Sequence, residues 1–235
     1  MKDEAESLRP LVSELVEAGL PAHFDLEVLL VDDGSSDQTP EIIADLMGEH
    51  VFLRCLRLDR TLGKSAALDA GFRAARGEIL AMMDGDLQND PRDLLPMVDT
   101  LRQGFDLVSG RRERRADTLW RRVQSRIANH VRQFVLRDHA TDCGCGIKVL
   151  RRECVARLPM FRGAHRFMEA LIQAQGFRFK QIPVNDRPRR HGEPKYTFRR
   201  RGILRPTVDM LGVLWLRRRM DRCEARPVEP PEPRG

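Results

Sequence analysis

Short apolar runs alternate with amphipathic stretches through the first half of this chain, and that beat restricts the fold more than any other feature. Leu8, Leu11, Val12, Leu15 and Val16 recur at helical spacing, which predicts an opening helix stopped by Gly19 and Pro21. Glu27-Val-Leu-Leu-Val31 reads as a short buried strand, followed by a helix from Glu41. The pattern repeats as strand 51–58, helix 64–75, strand 78–83, helix 91–103 and strand 106–110. Such alternation predicts an α/β fold with a mostly parallel central sheet flanked by helices. A hydrophobic content of 41% supports a sizeable core.

Two of these strands end in acid. The first runs into Asp32-Asp33-Gly34-Ser35-Ser36-Asp37, the later one into Asp84-Gly85-Asp86-Leu87-Gln88. Alternate residues of an extended strand share a face, so Asp84 and Asp86 can point the same way, while Gly85 admits a close approach to the backbone. Hard carboxylate oxygens suit Mg2+ or Mn2+, and Mg2+ typically takes one or two carboxylates with waters and substrate phosphates. A lone Asp-x-Asp is as well explained by a polar turn. Two acidic turns at the carboxyl ends of strands in one predicted sheet, where such folds bind ligands, weigh against that plain explanation.

The net charge of +6 comes mostly from the part after residue 110 and points to an anionic partner, whether phosphate, membrane surface or nucleic acid. One Tyr and two Trp are few for stacking on bases, so nucleic acid is not expected. Residues 117–136 pattern as a basic amphipathic helix, and 203–219 ends in Arg217-Arg-Arg219; either could lie on a membrane surface or pack on the core. The apolar run from Ile203 to Leu216 is broken by Arg205, Pro206 and Asp209 and falls short of the ~20 residues that span a bilayer. Residues 1–20 have no apolar signal core. The five cysteines lack paired C-x-x-C spacing, which argues against a disulfide framework or a zinc site. Residues 1–220 are expected to form one domain, and the proline-bearing stretch 221–235 a disordered tail.

Taken in order, Val31-Asp-Asp-Gly-Ser-Ser-Asp37, Leu62-Gly-Lys-Ser-Ala-Ala-Leu-Asp-Ala-Gly71, Ala75-Arg-Gly-Glu78, Met83-Asp-Gly-Asp-Leu-Gln88, Ser109-Gly-Arg-Arg112, Asp142-Cys-Gly-Cys-Gly146, Ile182-Pro-Val184, Arg187-Pro-Arg189 and Lys195-Tyr196 resemble family 2 glycosyltransferases. The likeness is to the polyprenyl-phosphate sugar transferases related to dolichyl-phosphate mannose synthase, and it covers nearly the whole chain. It implies a nucleotide-diphospho-sugar transferase (GT-A) fold and an inverting hexosyltransferase. It implies that Asp32 and Asp33 contact the nucleoside with Lys64 nearby, and that Asp84 and Asp86 serve the ribose and the metal on the diphosphate. A cation beside Asp86 would stabilise the departing nucleoside diphosphate.

A lipid monophosphate acceptor, with a second pKa of about 6, is largely a dianion already and needs no general base. Arg111, Arg187 and Arg189, with Lys195, are then the candidate acceptor contacts, although any one of them could be a solvated surface residue. For a hydroxyl acceptor a base is required, and Asp142 is the candidate by its place in the family turn, against a simpler turn-stabilising role. The expected location is peripheral, at the cytoplasmic face of a membrane.

The resemblance also exposes departures. Family members open with a central strand of the form Val-x-Val-Val-x-Pro, whereas this sequence begins at Met1-Lys-Asp-Glu4, so the first strand is expected to be missing, with either the true start upstream or the chain a truncated and weakened form. Asp186 and Pro194 stand where relatives often have His and Ser. The competing readings are a truncated, inactive nucleotide-sugar-binding or scaffold protein and a sugar-phosphate nucleotidyltransferase.

Overall fold

The helix α1 (Ala5–Glu17) forms because Leu8, Leu11, Val12 and Leu15 fall on one stripe, and all four are buried. It ends at Gly19, whose φ of +73° is a conformation glycine adopts without penalty, and the single turn α2 (Leu20–His23) follows. The computed structural model describes residues 1–112, 130–188 and 201–220, the stretch 201–205 by its backbone alone. After α2 come β1 (Val28–Asp32), α3 (Thr39–Glu49), β2 (Leu53–Arg57), α4 (Lys64–Ala74), β3 (Ile79–Met82), a 3-10 turn at Pro91–Asp93, α5 (Leu94–Arg102) and β4 (Leu107–Arg112). Then follow the helical residues 130–136 (α6), β5 (Lys148–Arg151), α7 (Glu153–Ala156), a 3-10 turn at Ala164–Arg166, α8 (Met168–Ala174), β6 (Phe179–Val184) and α9 (Arg201–Arg217).

The strands do not form the single sheet expected. β1 and β2 make a parallel pair of their own, and β3, β5, β4 and β6 make a second sheet in that order. Within it β3, β4 and β6 share one direction, while β5 runs against both of its neighbours, with Met82 opposite Lys148 and Val108 opposite Val149. A reversed β5 starts where β3 and β4 end. It therefore carries the turn 142–147 to the carboxyl edge of the sheet, beside the acidic turn that follows β3.

β1 and β3 share no ladder among the described residues, and Met1 lies along the end of β1. Its amino group donates to Val31 O at 2.7 Å and its carbonyl accepts Asp33 N at 2.8 Å. The two sheets meet instead through side chains, with Val28 packed against both the cluster of Leu15, Met97, Val108 and Ile147 and the cluster of Leu8, Val12, Leu30 and Ile43. A third cluster, around Leu107, Leu136, Leu150, Met168 and Leu171, seats α8 and α9 on the other face. Each such buried aliphatic side chain contributes about 1.5–3 kcal/mol. The expected tail, 221–235, and residues 117–129 of the expected basic helix 117–136 lie outside the described residues.

Candidate active site

The first acidic turn is fixed by its own carboxylates. Asp32, 1% exposed, accepts from the N–H of Ser35 at 2.9 Å and from its hydroxyl at 2.5 Å on Oδ1, while Oδ2 has no hydrogen bond and faces Arg57 Nε at 3.4 Å. Asp33 reaches across to the loop before α4, taking Leu62 N at 2.7 Å and Gly63 N at 2.9 Å. That grip sets the start of α4 and so places Lys64, whose ammonium contacts Asp84 in the second acidic turn. Lys64 thereby joins the two turns that the sequence placed at one sheet edge. Burial works to raise the Asp84 carboxyl, but Lys64, with Lys148 and His165 behind it, holds it below the usual carboxylate range.

Asp86 is buried at 7% and accepts from Gln88 N at 3.3 Å. Between them Leu87 adopts φ +62°, a left-handed conformation that costs a branched residue about 1–3 kcal/mol, and its side chain is almost wholly buried. Asn89 follows, buried, bridged to Asp186 and with Oδ1 lacking a partner. Gly146, from the turn before β5, closes this corner: a Cβ there would collide with the Asp84 carboxylate and lie 2.8 Å from Asn89 Oδ1. Asp84, Asp86 and the unpartnered Asn89 oxygen are hard donors, too few for a complete shell. They fit a divalent cation whose remaining positions come from a diphosphate and water. Among the described residues no group of three or more His, Cys, Asp or Glu is gathered as a metal site.

The expected acceptor-side residues take different places. Arg111 is exposed at the end of β4. Asp142 is 5% exposed and gripped by Arg112, with Arg112 Nε on Oδ2 and Nη2 on Oδ1, both at 2.9 Å, and it also accepts Gly144 N at 3.2 Å. A carboxylate so engaged orders the turn. Arg187 is anchored inward, Nη1 to Glu14 and Nη2 to Asp90, each at 2.7 Å, and its N–H donates to Gln88 O at 2.9 Å. Arg189 and Lys195 lie outside the described residues. Cys143 and Cys145 are buried free thiols, and desolvation pushes both upward, away from the thiolate that binds metals.

Sequence reasoning missed three groups. Lys148, 1% exposed, donates to Glu169 Oε1 at 2.6 Å and to Cys145 O at 2.9 Å, tying the turn 142–146 to α8. The signal was a lysine inside the apolar run Ile147-Lys-Val-Leu150. Ser65 and His165, which bond at 2.8 Å, carried none, since they are far apart in the chain.

Residues 1–158 match the model of the glycosyl transferase family 2. Over 230 residues the chain is 35% identical to a dodecaprenyl-phosphate galacturonate synthase of Rhizobium johnstonii, covering 96% of this chain and 66% of the relative. It is 32% identical over 195 residues to an undecaprenyl-phosphate 4-deoxy-4-formamido-L-arabinose transferase of Aeromonas hydrophila, covering 83% and 60% respectively. The chain thus spans somewhat under two thirds of the length of these relatives. Its fold is that of a mannosyltransferase from Pyrobaculum calidifontis solved with GDP-Man and Mn2+, at TM-score 0.58, 22% identity, 78% of this chain and 52% of that one. It is likewise that of glucosyl-3-phosphoglycerate synthase from Mycobacterium tuberculosis, at TM-score 0.61, 19% identity, 92% of this chain and 77% of that one. With a GT-A fold, two acidic turns joined by Lys64 and a family match over most of its length, this chain belongs to glycosyl transferase family 2.

Proposed function

We propose that the chain transfers a sugar from a nucleoside-diphospho-sugar to a polyprenyl phosphate or similar lipid-linked phosphate, using Mg2+ or Mn2+. The observation that carries this reading is the link from Asp33 through the start of α4 and Lys64 to Asp84, with the buried Asp86 two residues on in the same acidic turn, which supplies an acidic corner for a metal beside a cationic phosphate contact. Asp32 and Asp33 hold the nucleoside side and Asp84 and Asp86 hold the cation. When bound, the cation neutralises charge on the departing diphosphate. Lys64 adds a fixed positive charge at the same place. Arg111 and Arg189, with Lys195, are the acceptor-phosphate candidates. Arg187 serves by anchoring the chain just before Arg189, through Asp90 and Glu14. Asp142 orders the turn next to the acceptor side.

The acceptor reading draws on the names of the curated relatives and on one face of the molecule. Val208, Leu211 and Trp215 are 61%, 55% and 60% exposed along α9, Phe134 is 86% exposed on α6, and Arg218 and Arg219 lie close by, a combination suited to peripheral contact with an anionic membrane face. No helix among the described residues is long and apolar enough to cross a membrane. Calorimetry with UDP- and GDP-sugars tests the donor side. Binding is expected only with Mn2+ or Mg2+, and Asp86→Ala is expected to abolish it. Undiminished binding by Asp86→Ala would sink the metal assignment.

A further inference from the structure

Ser65 lies in the first turn of α4, next to Lys64, and is buried. Its oxygen accepts two main-chain N–H groups from the loop that precedes α8, Gly163 at 3.1 Å and His165 at 3.4 Å. The same oxygen is 2.8 Å from the ring atom Nδ1 of His165. A serine hydroxyl has two lone pairs and one hydrogen. Both lone pairs face N–H donors, so the hydrogen goes to Nδ1, and Nδ1 is the unprotonated nitrogen. The ring proton is therefore on Nε2.

The surroundings favour a neutral ring. Burial, with Lys64 and Arg166 nearby and Lys148 beyond them, outweighs the single carboxylate of Asp84 and pushes the imidazole down to about 4. A neutral ring whose Nδ1 is occupied and whose Nε2 bears hydrogen is a poor base and a poor metal ligand. What it offers is one N–H donor. His165 is part-exposed, and its loop is tied by three contacts to the helix start that carries Lys64, whose ammonium contacts Asp84.

We propose that His165 is a further binding residue of the donor subsite, giving its Nε2–H to an anionic oxygen of the diphosphate beside Lys64, with Ser65 fixing the tautomer. The proposal rests on the nucleotide-sugar reading. A donor that is neutral before and after transfer strengthens its bond as charge builds on the departing diphosphate, without exchanging a proton. Ser65 acts through His165 and is a positioning residue.

Long-range proton–nitrogen NMR of the imidazoles at pH 7, with His165 assigned from the signal missing in His165→Gln, reads the tautomer in the free protein. The expected pattern is a protonated Nε2 and a bare Nδ1, with Nε2 shifting when Mg2+ and UDP or GDP are added. In kinetics, His165→Gln keeps an amide N–H near the same place and holds the donor KM within about threefold. His165→Phe raises it about tenfold, both variants keeping the thermal midpoint of the parent. A proton on Nδ1, a charged ring, an Nε2 signal unmoved by a nucleotide that binds, or equal KM values for the two variants would overturn the proposal. An Nδ1-protonated ring removes this inference alone, whereas a parent protein that binds no nucleoside diphosphate removes the donor reading and the inference with it.

Discussion

Arg112 closes on Asp142 as a two-armed fork, each arm at 2.9 Å, and so clamps the end of β4 to the turn that leads into β5. Desolvation works against the guanidinium charge, but the Asp142 carboxylate raises its proton affinity further still. Asp142→Asn keeps the shape and loses the ion pair, so about 1–3 kcal/mol of stability should disappear in urea unfolding. Arg112→Ala should cost more, because it leaves a nearly buried carboxylate uncompensated. If Asp142 is part of the clamp, the acid limb of the rate–pH profile survives in Asp142→Asn. Loss of that limb with intact folding would return Asp142 to the role of general base.

The Lys148–Glu169 pair is buried on both sides, at 1% and 0%, with Ser109 Oγ 3.1 Å from Glu169. Lys148→Met strands a carboxylate in the interior and should cost about 3–5 kcal/mol, whereas adding Glu169→Leu should restore part of that loss. Thermal or chemical denaturation of the two single variants and the double variant checks this. Additive losses would show that the two side chains are not coupled.

Gly146 leaves no room for a methyl group between the Asp84 carboxylate and Asn89. Gly146→Ala should therefore push the metal corner apart, weakening Mn2+-dependent nucleotide binding by about tenfold or more for a stability loss of about 1–3 kcal/mol. Calorimetry with and without Mn2+ separates the two effects, and unchanged binding would show that Asp84 can swing clear at little cost.

How much of this was legible in the sequence differs by element. Strands ending at Asp32 and near Asp84 could be read, because burial pattern and turn chemistry are local. The direction of β5 could not, since the run Ile147–Leu150 has the same pattern whether it enters parallel or antiparallel. Lys64 could be named but not its partner, because the contact with Asp84 spans two separate loops. The arginines were the least legible. Arg112 and Arg187 look alike in a basic stretch, and only their carboxylate partners, Asp142, Glu14 and Asp90, show that both are occupied within the fold. Ser65 and His165 illustrate the same limit, a hundred positions apart in the chain.

Acid should weaken the fold through His165. Its folded value of about 4 lies below the ~6.5 of an unfolded histidine, so between those pH values the unfolded chain binds more protons and stability rises with pH. The contribution is present above about pH 6.5 and is lost as pH falls through about 4, with Lys64, Arg166, Lys148 and Asp84 as the charged groups facing the ring. Allowing for the ring's partial exposure, the parent should lose about 1–2 kcal/mol of stability relative to His165→Gln from pH 7 to pH 4. Paired urea curves at the two pH values measure it, and parallel behaviour would mean that the folded ring takes up its proton as readily as the unfolded one.

Among the described residues β1 and β3 share no main-chain ladder, and the domain consists of two plates joined by apolar packing and by a few side-chain links, Lys64 to Asp84, Ser65 to the loop before α8, and Arg187 to Glu14. Packing of that kind has no preferred direction, so the plates can open with separate free energies, and their amides should fall into two classes of hydrogen exchange. A molecule bound from Asp33 on one plate to Asp86 on the other becomes the cross-brace between them. Binding then appears as gained cooperativity, with the two exchange classes merging into one.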